Sequence, residues 1–405
     1  MSNTIEARLA SAERLSVSRL KGKSTPQEST VTGTASPPFG MIREWADSIS
    51  ARLPAFAAQV AVIHHGDLVV DLAIGDDADG VTGVYSSSKG VSALVIALLV
   101  QGGLLDLDAP VARYWPEFAQ AGKQDVLVRQ LLSHQGGLPG VPGGFTDDEL
   151  THSELAAERL AAATPSWRPG AMFGYHGITI GVFMEEFVRR ITGTTLQALY
   201  AAELREPYGI DFFLGLPESA DARYRPLRPP VEAPDPAELE RLQLPDDSFN
   251  LGVFAPDPDG VTAWDRAPLP NQPHIRRAGW AAAGGTGSAR GLARAYAVAY
   301  GGADGSPALI SPATRAALAQ EQVFGTDRVL NRTMAFGIVY EKSHPGFDFG
   351  SHLALGHDGA GGALGYYDPH YDVAVGYIPQ QLDVPTGKLP HAFRLSRLVR
   401  DALKG

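Results

Sequence analysis

Among its 405 residues the sequence has no cysteine. That excludes disulfides, thiolate nucleophiles and Cys-ligated zinc or iron–sulfur centres, and the expected location is the reducing cytoplasm. Long apolar runs are also missing. A membrane span needs roughly 18 such residues, and the longest run here covers residues 91–100. The start, MSNTIEARLASAERLSVSRLKGK, lacks the continuous apolar stretch of a secretory signal. Ile5, Leu9, Ala12 and Leu15 have helical spacing there, so a short amphipathic helix is expected, while Glu6 and Glu13 argue against a transit peptide. Positive charge is scarce too. The net charge is −11 and no domain-sized basic patch is visible, so neither nucleic acid nor a membrane is an expected partner.

What is present is ordinary for a globular protein: 44% hydrophobic and 20% charged residues. The length exceeds what one core of roughly 250–300 residues holds, so two lobes are expected. The Ser/Thr/Pro-rich stretch at residues 24–38 reads as a linker, with folded structure starting near Met41. QVAVIHHGDLVVDLAIG predicts two strands around a His65-Gly66-Asp67 turn, and SSSKGVSALVIALLVQGG a helix closed by Gly102-Gly103. Residues 105–216 read as mainly helical. Residues 217–273 hold 12 of the chain's 30 prolines and read as an ordered loop or lid, or more plainly as a linker. Helices follow at SARGLARAYAVAYGG and SPATRAALAQEQ. Short strands are expected at TMAFGIVYE, HLALGH, GALGYYD and YDVAVGYIP, and a closing helix at HAFRLSRLVRDALK. The order predicts one α/β (α+β) lobe from residues 41–104 and 276–405, an antiparallel sheet flanked by helices, with a helical lobe and Pro-rich lid inserted over 105–275.

Chemistry concentrates at Ser-x-x-Lys, which occurs at Ser18/Lys21 and Ser86/Lys89. With seven lysines in the chain, a chance match is expected, so context decides. Ser18 lies in the charged extension. Ser86 opens a buried helix, where positions i and i+3 share a face. There Lys89 would hold its amine near Ser86 Oγ, burial would lower its pKa, and the Ser86 N–H at the helix start would be free as an oxyanion donor.

YSSSKGVSAL resembles the active-site helix of the serine β-lactamase and penicillin-binding protein superfamily. LLDLDAPVARYWPEF and VRQLLSHQGGLPG resemble stretches that follow it in the class-C-like family VIII carboxylesterases. PSWRPGAMFGYHGITIGVFMEEFVRRITG is similar to the segment that supplies the catalytic tyrosine, at Tyr175. LGHDGAGGALGYYDP resembles the third-motif strand, with His357-Asp358-Gly359 in place of Lys-Thr-Gly. The resemblance spans residues 59–380 and implies a β-lactamase-like fold. It implies Ser86 as nucleophile, Lys89 and Tyr175 as acid–base partners, an oxyanion hole of the Ser86 and Ala360 N–H groups, and a substrate pocket at His357, Gly359 and Gly361. It implies a small-ester substrate, no cofactor and no metal. Tyr175-His176-Gly177 lacks the asparagine that holds an amide in many β-lactamases, and the third motif lacks the carboxylate-binding lysine. Both departures favour ester hydrolysis, with β-lactamase, D-aminopeptidase, amidase or transesterase activity, or a non-catalytic ligand-binding homologue, as alternatives.

Plainer readings stand beside these. Ser86 is also a fitting N-cap, Tyr175 a fitting core tyrosine, and His134 reads as structural. Gly285 and Gly287 fall short of a G-x-G-x-x-G nucleotide loop and read as pocket wall. No G-x-S-x-G elbow supports a Ser-His-Asp triad. His64 and His65 are expected to point apart on a strand, not to bind a metal.

Overall fold

The computed structural model describes residues 31–75, 78–229, 268–382 and 390–404. The expected N-terminal helix, Ser18/Lys21 and most of the residue 217–273 segment lie outside the described residues. The described part begins with strand β1 (Val31–Ala35), helix α1 (Gly40–Arg52) and the hairpin β2 (Ala58–His64) and β3 (Asp67–Ile74). Short β4 (Thr82–Gly83) leads into α2 (Ser87–Gln101). Then come α3 (Thr179–Thr192), β5 (Phe212–Leu214), β6 (Gly285–Gly287) and α4 (Ala289–Tyr300). Hairpin β7 (Val323–Thr326) and β8 (Thr333–Phe336) precedes β9 (Leu355–Asp358), β10 (Leu364–Asp368), β11 (Val373–Pro379) and the closing α5 (Pro390–Leu403).

Six strands form one antiparallel sheet in the order β1-β3-β2-β11-β10-β9, so both chain ends build it. This is a mixed fold of helices packed on an antiparallel sheet, as expected. Its faces follow the two-residue period of strands. Val60, Val62, Val375 and Tyr377 pack with Ile42, Ile49, Leu395 and Val399 of α1 and α5. Ala61, Ile63, Ala374 and Ile378 face α2 and α4. Helix α4 lies close because Gly365 and Gly376 pair across β10 and β11 directly beneath it. A β-carbon at Gly365 would stand 2.7 Å from Leu292 Cδ1. Helix α2 is apolar on every side and buried between this sheet and the helical segment, as such a helix must be.

Three expectations are corrected. Strand structure is already present before Met41, at Val31–Ala35: VTGTA pairs with β3 as an edge strand, and Gly33 meets Asp71 where a β-carbon would overlap the carbonyl. His64 and His65 do not point apart. His65 has φ 52° and Gly66 φ 83°, a two-residue turn with both residues left-handed, and the rings lie 4.0 Å apart. TMAFGIVYE is not one strand. β8 stops at Phe336, and a turn with Val339 at φ 66° carries Glu341 onto Gly356 of β9 instead.

Candidate active site

The site grows from the start of α2. Tyr85 has φ 48°, a conformation L-residues rarely adopt, and Ser86 caps the helix. The approach is held on both sides: the Val84 N–H donates to Gly285 O at 3.0 Å, and the Gly285 N–H donates to Ser88 Oγ at 2.8 Å. Gly285 and Gly287 are thus a buried strand packed on Phe212, which a nucleotide loop could not be.

Lys89 lies one turn along from Ser86 with no exposed surface. Its Nζ donates to Ser86 Oγ and to Ala282 O, each at 2.8 Å. Burial lowers its pKa to about 7, against the upward pull of Glu341 and Asp358. Tyr175 closes on the same oxygen from another segment, its hydroxyl donating to Ser86 Oγ at 3.0 Å. Burial, then Glu341, pushes its phenol well above 10, so it stays protonated.

Tyr175 is held by residues far from it in sequence. Asp327 Oδ1 accepts the N–H groups of Tyr175, Val329 and Leu330 at 3.1, 2.8 and 2.8 Å. Phe336 stacks on its ring at 6.1 Å. The His176 N–H donates to His134 Nδ1 at 3.0 Å, and the Gly174 N–H to His134 O at 3.0 Å. His176 Nδ1 donates to Gly174 O at 2.7 Å, while its Nε2 accepts the Leu138 N–H at 2.9 Å. That fixes a neutral tautomer, and burial takes its pKa to about 3. His134 is thus a brace for the tyrosine loop.

The third-motif strand lies flush against the turn that carries Ser86. A β-carbon at Gly359 would overlap Val84 O, and Ser87 Oγ donates to His357 O at 3.1 Å. Among the described residues, the N–H groups of Ser86 and Ala360 meet no backbone carbonyl. Gly361 sits between Tyr85 and Leu382. His357, expected in the substrate pocket, has no exposed surface. Its ring lies 6.2 Å from that of Tyr175, and its Nδ1 donates to Asp358 O at 2.8 Å. Burial, then Lys89, holds it neutral. Sequence reading missed Asp327 and Glu341. Each acts from a distant segment, and no local spacing marks it.

The β-lactamase family profile matches residues 45–396. The chain belongs to the β-lactamase family. It is a β-lactamase-like serine hydrolase. It is 33% identical over 399 residues to the esterase/β-lactamase LipL of Mycobacterium tuberculosis, covering 89% of this chain and 86% of that one. It resembles the structure of EstA from Arthrobacter nitroguajacolicus at 44% identity and a TM-score of 0.84, covering 92% of this chain and 98% of that one. A family VIII carboxylesterase structure matches at 29% identity and a TM-score of 0.80, covering 92% and 100%. Among the described residues, no helix is long and apolar enough to cross a membrane.

Proposed function

We propose that this protein hydrolyses small carboxylic esters through an acyl-enzyme on Ser86. The observation that carries the reading is the convergence of Lys89 Nζ and Tyr175 OH on Ser86 Oγ, at 2.8 and 3.0 Å. Ser86 Oγ attacks the ester carbonyl and gives its proton to neutral Lys89. The free N–H groups of Ser86 and Ala360 receive the oxyanion. The C–O bond to the alcohol breaks. The departing alkoxide takes the Tyr175 proton, which Lys89 replaces. In the second half, water loses a proton through Tyr175 to Lys89 and attacks the acyl carbon. Ser86 Oγ then leaves and recovers that proton.

The choice of ester over amide rests on what the site lacks. His176 spends both ring nitrogens on backbone, so the second motif offers no side chain to a substrate amide. His357 is neutral and enclosed where a β-lactamase lysine would meet a carboxylate. The matched esterase EstB of Burkholderia gladioli and the family VIII carboxylesterase support ester as the substrate, while the name of LipL covers both activities. Turnover of p-nitrophenyl esters of rising acyl length, set against nitrocefin, tests the reading. Ester hydrolysis well above nitrocefin turnover, abolished in Ser86→Ala, is expected; preferred nitrocefin hydrolysis would replace ester with amide.

A further inference from the structure

Glu341 belongs to none of the sequence motifs, yet the chain is bent to bring it to the site. β8 ends at Phe336, and Val339 takes φ 66°, an outlying conformation for a β-branched residue. The turn is pinned by the Val339 N–H donating to Leu132 O at 2.7 Å and the Gly337 N–H to Tyr340 O at 2.8 Å. Glu341 then joins the edge of β9, its N–H donating to Gly356 O at 2.9 Å.

From there its carboxyl turns inward. Glu341 Oε2 accepts the Asp358 N–H at 2.9 Å and stands 3.5 Å from His357 Nδ1. Asp358 Oδ1 lies 3.9 Å from the same nitrogen. A carboxylate oxygen of Glu341, one of Asp358 and a ring nitrogen of His357 all fall within 4.8 Å of one another, and the residues are only 2%, 8% and 0% exposed. The ring nitrogen between the acids donates to Asp358 O, and burial, then Lys89, holds the ring neutral, so the histidine brings no charge. Two carboxylates this close and this dry cannot both ionise. The charged and titratable groups facing them are Lys89 from α2, Arg332 before β8, Tyr175 and Tyr296.

We propose that Glu341 and Asp358 share one proton and present a single negative charge to Lys89, acting as positioning residues that set when the amine is free. Burial, then the Asp358 charge, pushes Glu341 well above the usual carboxylate range, while burial raises Asp358 against the pull of Arg332 and Lys89. The shared charge opposes the burial that would otherwise drive Lys89 lower still. The inference rests on Lys89 acting as base for Ser86, as proposed above.

The test is the pH profile of kcat/KM for a p-nitrophenyl ester in Glu341→Gln, Asp358→Asn and the double variant. Removing the charge disfavours protonated Lys89, so the acid limb of the double variant moves down by roughly one pH unit. Each single variant moves it by less than half as much, because the remaining acid still carries the charge. A purely structural role lowers the rate at all pH without moving the limb, and a folded double variant with an unmoved limb overturns the proposal. A second readout needs no activity and no double variant. The infrared difference between wild type and Glu341→Gln at neutral pH is expected to show the carbonyl stretch of a protonated carboxyl. A difference spectrum without it also overturns the proposal. Failure of wild type to form a Ser86 adduct with a fluorophosphonate would instead sink the parent reading.

Discussion

Lys89 and Tyr175 reach the same Ser86 oxygen from opposite kinds of structure. Lys89 is three residues away on one helix, and its position follows from helical geometry once α2 forms. Tyr175 is 89 residues away, and its loop depends on Asp327, Phe336 and His134, contributed by separate segments. The first half of the site is local and inexpensive to place. The second is a tertiary assembly in which chemistry and stability are entangled.

The sharpest way to test this contrast is to remove each partner. Lys89→Met is expected to lower kcat/KM roughly 10²–10⁴-fold, the range of a general base. Its melting temperature should hold or rise, because an enclosed amine gives way to an apolar chain. Calorimetry beside ester kinetics checks both, and a strongly destabilised Lys89→Met would erase the distinction. Asp327→Ala should instead lose both properties. Three N–H groups lose one acceptor, so denaturant unfolding should show a loss of about 3 kcal/mol, with activity falling as the Tyr175 loop loosens. If stability drops but kcat/KM survives, Tyr175 does not need this brace.

Smaller in effect is the pH profile of the intact protein. Lys89 at about 7 is protonated below that value and cannot accept the Ser86 proton. Wild-type kcat/KM should therefore rise with pH through about 7. It should then stay level in the weakly alkaline range, since burial keeps the Tyr175 phenol protonated there. A fall in that range would assign Tyr175 a different protonation state.

The same contrast explains what the sequence made legible. Ser86, Lys89 and the buried α2 are written in residue spacing. Tyr175 was reached only through resemblance, because one tyrosine in a Pro/Gly-rich loop carries no local signature. Glu341 and Asp327 were illegible, since their roles depend on turns that bring distant chain to the site. β1 was missed because VTGTA is small and polar; it pairs through backbone, with Gly33 allowing close approach to Asp71. His357 lies on its expected strand, and its full burial beside the Tyr175 ring is a tertiary outcome that no local spacing marks.

The central claim is that Ser86 is the nucleophile. Intact mass after brief exposure to a fluorophosphonate tests it most directly in wild type, Ser86→Ala and Ser18→Ala. The account predicts one adduct on wild type and Ser18→Ala and none on Ser86→Ala. An adduct that persists in Ser86→Ala would contradict it.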